Sequence, residues 1–258
     1  MDYLTVKKDI TRMFSDGTVK KIEDDMIVEK SMILEVDGSH EAVVILTPGE
    51  EELWALGNLY SRRMIESMND IRSIKKDATG IIIERTNKRE GRNLESRFLH
   101  TASGAFLQEQ GKNDVPSFLP VEWQISFETI ISGIDWIAEA PLFRLTGSVH
   151  VAALVSPAGS MLFRTEDVGR HNAVDKAIGW LLKNNVKTSN AVLITSGRLP
   201  KDMVIKGAGA GIPVMASISA ATATGVDAAR CCNMTLIGFA RNGRFNVYSA
   251  PERIKFNT

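Results

Sequence analysis

The chain has only two cysteines in 258 residues, and they are neighbours, Cys231 and Cys232. Adjacent cysteines suit neither an ordinary disulfide nor a zinc site, so a reducing cytoplasm is the simplest setting. Net charge is also lacking: Lys plus Arg and Asp plus Glu are both 31. A formal charge of zero argues against bulk electrostatic binding to nucleic acid or membrane, so any anion site must be local. There is no apolar run long enough to span a bilayer. The opening residues, MDYLTVKKDITRMF, lack the continuous apolar core of a signal peptide. Internal repeats and low-complexity tracts are missing. Of the four histidines, His40 and His100 read as surface residues. His150 and His171 are not helically spaced, and no cysteine pair with ligand spacing accompanies them, so no metal site is expected. The remainder, 44% hydrophobic and 24% charged, is ordinary for a globular chain of one large or two average domains.

The most informative stretch is RTEDVGRHNAVDKAIGWLL, residues 164–182. Val174, Ala177, Ile178, Leu181 and Leu182 recur at helical spacing and form one apolar face. Asp167 is the expected N-cap, which places Arg170 and His171 in the first turn. Positive charge is disfavoured there by the helix dipole. Exposed backbone N–H groups beside an arginine and a histidine make an anion site. The alternative is a structural ion pair, with Glu166 and Asp167 neutralising Arg170 and His171 partly buried.

The N-terminal part reads as a small α+β unit. Residues 4–14 and 26–36 have strand character, Asp37-Gly38 marks a turn, and residues 41–46 (EAVVIL) read as a buried strand. A helix is expected to start at residues 47–50, with Thr47 as cap, Pro48 in the first helical position and Glu50 completing a capping box. Leu53, Leu56, Tyr60 and Met64 supply its apolar stripe. Residues 81–84 form a short strand, and residues 87–120 are polar and read as a connector or long loop. The resulting division is an N-terminal α+β domain over 1–98, an interdomain loop over 99–122, and an α/β domain over 123–258.

In the last part a helix over residues 126–138 precedes the turn signal Thr146-Gly147-Ser148. His150 stands beside a strand over 151–155, and residues 161–164 pair back as a hairpin. Strands are expected at 191–195, 213–217 and 235–239, with helices starting near Pro200 and after Ser219. Asn242-Gly243 is a hairpin turn. Ligands of open α/β sheets lie beyond the carboxyl ends of the strands, against helix N-termini. Ser196, Gly197 and Arg198, then Ser219, and the stretch holding Arg170 and His171 occupy such positions; caps and turns are the alternative reading. Residues 239–244 (Phe239, Ala240, Arg241, Asn242, Gly243, Arg244) add an aromatic ring and two arginines. KGAGAG, residues 206–211, ends a helix and precedes a strand, which is the wrong place for a dinucleotide fingerprint. Helix packing and a C-cap are expected of its glycines, and Lys206 could reach the pocket.

TGSVHVAAL, EDVGRHNAVDKAIG, SGR with KGAGAGIP, and GFARNGRFNVYSAPERI occur in an order that resembles the formate dehydrogenase accessory proteins of the FdhD family. The resemblance runs from about Leu46 to Ile254 and includes the helix beginning LTPGEEELWALGNL. It implies a cytidine-deaminase-like α/β C-terminal domain without the deaminase zinc. It also implies a cytoplasmic homodimer that carries sulfur from a cysteine desulfurase to the molybdenum bis-molybdopterin guanine dinucleotide cofactor of formate dehydrogenase. GDP would be a partial analogue of that cofactor. The family's cofactor-binding segment matches residues 239–244, and Arg170, Arg198, Arg241 and Arg244 would hold phosphates. The family's sulfur carrier is a cysteine in a Cys-x-x-Cys segment of the interdomain loop. In the matching region here, HTASGAFLQEQGK, Ser103 takes the first cysteine's place in one register and Gly104 in another. Persulfide chemistry needs a thiolate, which neither residue supplies.

Overall fold

The structure, a computed structural model, describes residues 3–86 and 117–256. The chain runs through strands β1 (Thr5–Met13), β2 (Val19–Ile27), β3 (Lys30–Val36) and β4 (Ser39–Leu46), helix α1 (Glu51–Ser61), and strands β5 (Ile71–Lys76) and β6 (Gly80–Arg85). After the undescribed residues come β7 (Ile125–Ser126), α2 (Phe127–Ala138), α3 (Pro141–Thr146), β8 (His150–Val155), β9 (Met161–Asp167) and α4 (Arg170–Lys183). The chain then alternates β10 (Val192–Thr195), α5 (Lys201–Gly209), β11 (Val214–Ser217), α6 (Ala223–Cys231) and β12 (Thr235–Arg241), and closes with β13 (Arg244–Ser249) and β14 (Ile254–Lys255).

The C-terminal part is an α/β layer structure around a six-stranded sheet of order β13-β12-β11-β10-β8-β9. β10, β11 and β12 are parallel, whereas β8, β9 and β13 join antiparallel. Its central strands are apolar on both faces because both are covered. Ala152, Leu154, Leu193, Met215 and Leu236 meet α4, α5 and α6 on one side. Val151, Ala153, Val192, Ile194, Val214 and Ala216 meet α2 on the other. This layering is compatible with the cytidine-deaminase-like arrangement that the resemblance implies. Ser126 caps α2, accepting the Thr129 N–H at 3.1 Å.

A second, four-stranded sheet of order β4-β3-β6-β5 packs on α1, and α1 packs in turn across α4. Two expectations need correction here. Residues 41–46 are not buried on both faces: β4 is an edge strand, and Val43 and Ile45 point outward. The capping box at residues 47–50 does not form. Gly49 sits at φ +113°, α1 starts at Glu51, and no side chain caps it. Thr47 spends its groups on the far half of the chain instead: its N–H donates to Asp167 and its hydroxyl accepts from Val168 N–H. The turn expected at Thr146-Gly147-Ser148 is present: it ends α3, with Gly147 as a left-handed C-cap at φ 64°.

Candidate functional site

The sheet brings one set of residues to one edge. β10, β11 and β12 end there, β8 begins there at His150, and β9 ends there at Asp167, which pairs with His150. The loops that follow β10 and β11 are laced together. Leu199 N–H donates to Ala220 O, Thr222 N–H to Leu199 O, and Phe239 N–H to Ser219 O. Two fully buried hydroxyls set the turns. Thr195 Oγ1 accepts Gly197 N–H, while Ser217 Oγ donates to Gly197 O at 2.6 Å and accepts Ser219 N–H. Neither Thr195 nor Ser217 was singled out from the sequence. The readable signal was a hydroxyl at the last position of two successive strands.

α4 starts at Arg170, so Arg170 and His171 do lie in its first turn, but the cap is Gly169, with no side-chain bond. Asp167 is the last residue of β9 and is fully buried. It accepts N–H bonds from Thr47 and Gly169 and an amide bond from Asn172, and it pairs with Lys176 at 2.8 Å. Glu166 accepts the backbone N–H groups of Leu142 and Phe143 at the start of α3. Neither carboxylate neutralises Arg170, which corrects that half of the structural reading, while His171 is partly buried as that reading expects. The stretch divides by helical face. Asn172, Asp175 and Lys176 weld α4 to residues 45–61, through bonds to Trp54, Asn58, Ile45 O and Thr47 O. Arg170 and His171 are left at this sheet edge.

Arg170 packs behind Gly197, where a Cβ would lie 2.9 Å from Arg170 Cβ. Its Nε is buried and has no hydrogen-bond partner among the described residues. A buried unpaired guanidinium N–H is costly, and a bound anion would remove that cost. His171 Nε2 stands 2.8 Å from Asp202 Oδ2. Burial opposes ionisation of Asp202, but hydrogen bonding to His171, the charges of His171 and Arg170, and the Met203 N–H outweigh it and hold its carboxyl below the usual range. Asp202, in the first turn of α5, is a positioning group for His171 that was not among the residues expected at the site.

His150 Nδ1 lies 3.3 Å from Ser196 Oγ, which also accepts Val151 N–H. Burial and then the Arg170 and His171 charges hold its imidazole below the ordinary value of 6.5. The folded protein therefore favours neutral His150. As pH falls below about 6.5 the unfolded chain takes up this proton first. The associated stability is present above that value and is lost on acidification. Between pH 7.5 and 5.5, the urea midpoint of wild type is expected to fall further than that of His150→Asn. Equal falls in the two proteins would show that His150 does not carry this loss.

Residues 239–244 form the end of β12 and its hairpin. Phe239 is over one-third exposed and adopts φ 52°, a left-handed conformation that is an outlier for a bulky residue. Such strain clusters at functional sites. The Arg241 guanidinium lies 5.6 Å from the Phe239 ring centre, within cation–π range. Asn242 and Gly243 both have positive φ, as a two-residue hairpin turn requires. Arg198, Arg241 and Arg244 are exposed, and Ser219 is half-buried. Ala240 is a correction: it is fully buried in the core beneath the sheet. Lys206 is another, because it ends on Asp175 at 2.6 Å rather than in the crevice. The glycines around it pack as expected: a Cβ on Gly209 would sit 2.6 Å from Ser61 O. Ser103, Gly104 and His100 lie outside the described residues.

Cys231 is exposed and Cys232 is buried. They end α6, whose N-terminus at Thr222 lies beside the loop after β10, where Thr222 N–H donates to Leu199 O. Nine helical residues separate the two ends by about 13 Å. A cleft of about 530 Å³ opens between Ser67, Met68 and Asn69 and the loop after α4, at Asn185 to Ser189. It is at the wrong end of α4 to belong to this site.

The family model described as the FdhD/NarQ family matches residues 27–255. A protein of Saccharolobus solfataricus named sulfur carrier protein FdhD is 36% identical over 219 residues, covering 83% of each chain. One of the same name from Wolinella succinogenes is 32% identical over 258 residues, covering 96% of this chain and 89% of that one. The crystal structure of a candidate formate dehydrogenase accessory protein from Desulfotalea psychrophila superposes with a TM-score of 0.81. It is 25% identical, covering 98% of this chain and all of that one.

Proposed function

The chain belongs to the FdhD/NarQ family, and from that premise we propose that it is a cytoplasmic accessory protein of formate dehydrogenase. Its cargo is the molybdenum bis-molybdopterin guanine dinucleotide cofactor, held by the guanine nucleotide end at the crevice edge. Arg170, Arg198, Arg241 and Arg244 take phosphate oxygens, and the Phe239 ring packs on the ligand. His171, set by Asp202, faces the anion, while His150, Ser196 and Ser219 offer neutral hydrogen-bonding groups. The observation that carries this reading is the buried Nε of Arg170, which lies beside His171 and has no hydrogen-bond partner among the described residues. A guanidinium held in this way fits a phosphate better than it fits solvent.

Sulfur delivery is the second half of the reading. Both thiols of the chain sit at the far end of α6. This supports a division of labour in which this chain holds the cofactor while a cysteine desulfurase brings sulfur on its own thiol. The same observation favours a second reading, a cofactor-holding chaperone that serves formate dehydrogenase without any sulfur transfer.

GDP titrated into the protein in a calorimeter tests the crevice. Arg241→Ala with Arg244→Ala is expected to weaken binding more than about tenfold, roughly 1.4 kcal/mol. Absence of GDP binding by wild type would sink the pocket assignment. In parallel, Cys231→Ser with Cys232→Ser is expected to leave formate dehydrogenase maturation unchanged. Its loss, with GDP binding intact, would make one of those cysteines the carrier.

A further inference from the structure

The segment that joins β9 to α4 is held from the other half of the chain. Only Val168 and Gly169 separate the end of β9 from Arg170, the first residue of α4. Two side chains engage both of their N–H groups. Val168 N–H donates to Thr47 Oγ1 at 3.1 Å, and Gly169 N–H donates to Asp167 Oδ1 at 2.9 Å. Asp167 is itself tied to Thr47, whose N–H donates to its Oδ2 at 3.0 Å. The clasp is reciprocal: Thr47 gives one hydrogen bond to residues 167–168 and takes one back. Thr47 is 2% exposed and Asp167 0%, so water does not compete for these bonds.

The clasp reaches both histidines of the sheet edge. Asp167 stands opposite His150 in the β8–β9 register. Its Oδ1 also accepts Asn172 Nδ2 at 2.9 Å, and the same amide donates to Ile45 O at 2.8 Å. Arg170 and His171 thus lie between two fixed points, Gly169 before them and Asn172 after them. Both points are tied to residues 45–47 at the end of β4. α4 has no side-chain cap of its own, so the usual device for fixing a first turn is missing. Arg170 is also closely packed on its other side, against Gly197, where a Cβ would lie 2.9 Å from Arg170 Cβ. A small shift of residues 168–169 is therefore passed on to the two side chains.

We propose that Thr47 is a positioning residue of the anion site. Through Val168 and Asp167 it sets Arg170 and His171, so that the N-terminal unit takes part in binding without touching the ligand; this rests on the reading that the sheet edge takes a phosphate. Coupling through a contiguous hydrogen-bond network is reciprocal and commonly changes affinity by about 5–150-fold.

Two variants of the full chain test it. Thr47→Val keeps the shape of the side chain and removes the acceptor of Val168 N–H, whereas Thr47→Ser keeps that acceptor. In ligand-free protein, the NMR resonances of Arg170 Nε–H and of the His171 ring are expected to move in Thr47→Val and to stay near wild type in Thr47→Ser. In calorimetry, Thr47→Val is expected to weaken GDP binding about fivefold or more, and Thr47→Ser less than about twofold. A purely structural role would lower the urea midpoint of Thr47→Val but leave the resonances and the affinity of the folded protein unchanged, and that result overturns the proposal. Linkage gives a test that needs no variant. Saturating GDP is expected to slow hydrogen exchange at the Thr47 and Val168 amides of wild type about fivefold or more relative to those of β6; equal slowing overturns the proposal too. If wild type binds no GDP, the phosphate reading falls, and the ligand-free resonances alone decide whether Thr47 sets the first turn of α4.

Discussion

Gly179→Ala is expected to cost about 3 kcal/mol or more in urea unfolding, at the upper end for inserting a single methyl group. α1 and α4 cross at two glycines. A Cβ on Gly179 would lie 1.9 Å from Leu53 O and 2.9 Å from Gly57 N, and one on Gly57 would lie 1.8 Å from Asp175 O. These atoms are backbone, so nothing can rotate away; the two helices must separate. Separation also strains the Trp54–Asn172 and Asn58–Asp175 hydrogen bonds. A loss of that size lowers the melting temperature by about 6–12 °C in a chain of this length. Gly207→Ala supplies the control. Its Cβ would meet only the ends of Met215 and Met234, each at 3.4 Å. Within a helix, alanine is favoured over glycine by about 1 kcal/mol, so this variant is expected to be neutral or slightly stabilised. Equal costs for the two substitutions would show that the close helix crossing is not what limits stability.

The second large effect compares two lysines with the same pair distance. Lys176 meets Asp167 at 2.8 Å with side chains 1% and 0% exposed, and Lys183 meets Glu52 at 2.8 Å with side chains 46% and 38% exposed. Lys176→Met removes the cation from a fully buried carboxylate, and about 3–5 kcal/mol is the expected loss. Three hydrogen-bond donors, from Thr47, Gly169 and Asn172, remain on Asp167 and place the loss toward the lower figure. Lys183→Met breaks a screened surface pair and is expected to cost less than about 1 kcal/mol. Urea midpoints of the two variants measure the contrast directly. Similar losses would mean that the buried pair contributes no more than the exposed one. Because Lys176 also donates to Thr47 O, its removal is expected to loosen residues 47–50 against α4.

Much of the fold was legible. The 3.6-residue period of residues 174–182 marks α4, the helical spacing of the apolar residues in 126–138 marks α2, and Asn242-Gly243 marks the β12–β13 turn. Residues 151–155 and 191–195 read as strands, and the structure covers both faces of each. Of the residues proposed for the site, His150, Arg170, His171, Ser196, Gly197, Arg198 and Ser219 come to one sheet edge because each follows or begins a strand there. The β1–β2 hairpin and α3 were less legible. β2 has charges at five of nine positions and little alternation, and α3 is a single short turn before a glycine.

The misreadings of Asp167, Thr47 and Lys206 share one cause. Asp167 has the composition and position of an N-cap, and Thr47 those of a capping box. Each was read through its near neighbours, but they bond to each other's segments across 120 residues of chain. Lys206 and Asp175 are likewise paired over 31 residues. By itself the sequence determined what depends on short-range order: which segments are helix or strand, which faces are apolar, and the family to which these motifs belong. Only the tertiary structure decided how the polar residues of the central stretch are shared out. Asp167, Asn172, Asp175 and Lys176 hold α1 against α4, and Arg170 and His171 remain for the crevice. The physical reason is that a buried polar group must find a partner, and that partner is chosen by packing in space rather than by distance along the chain.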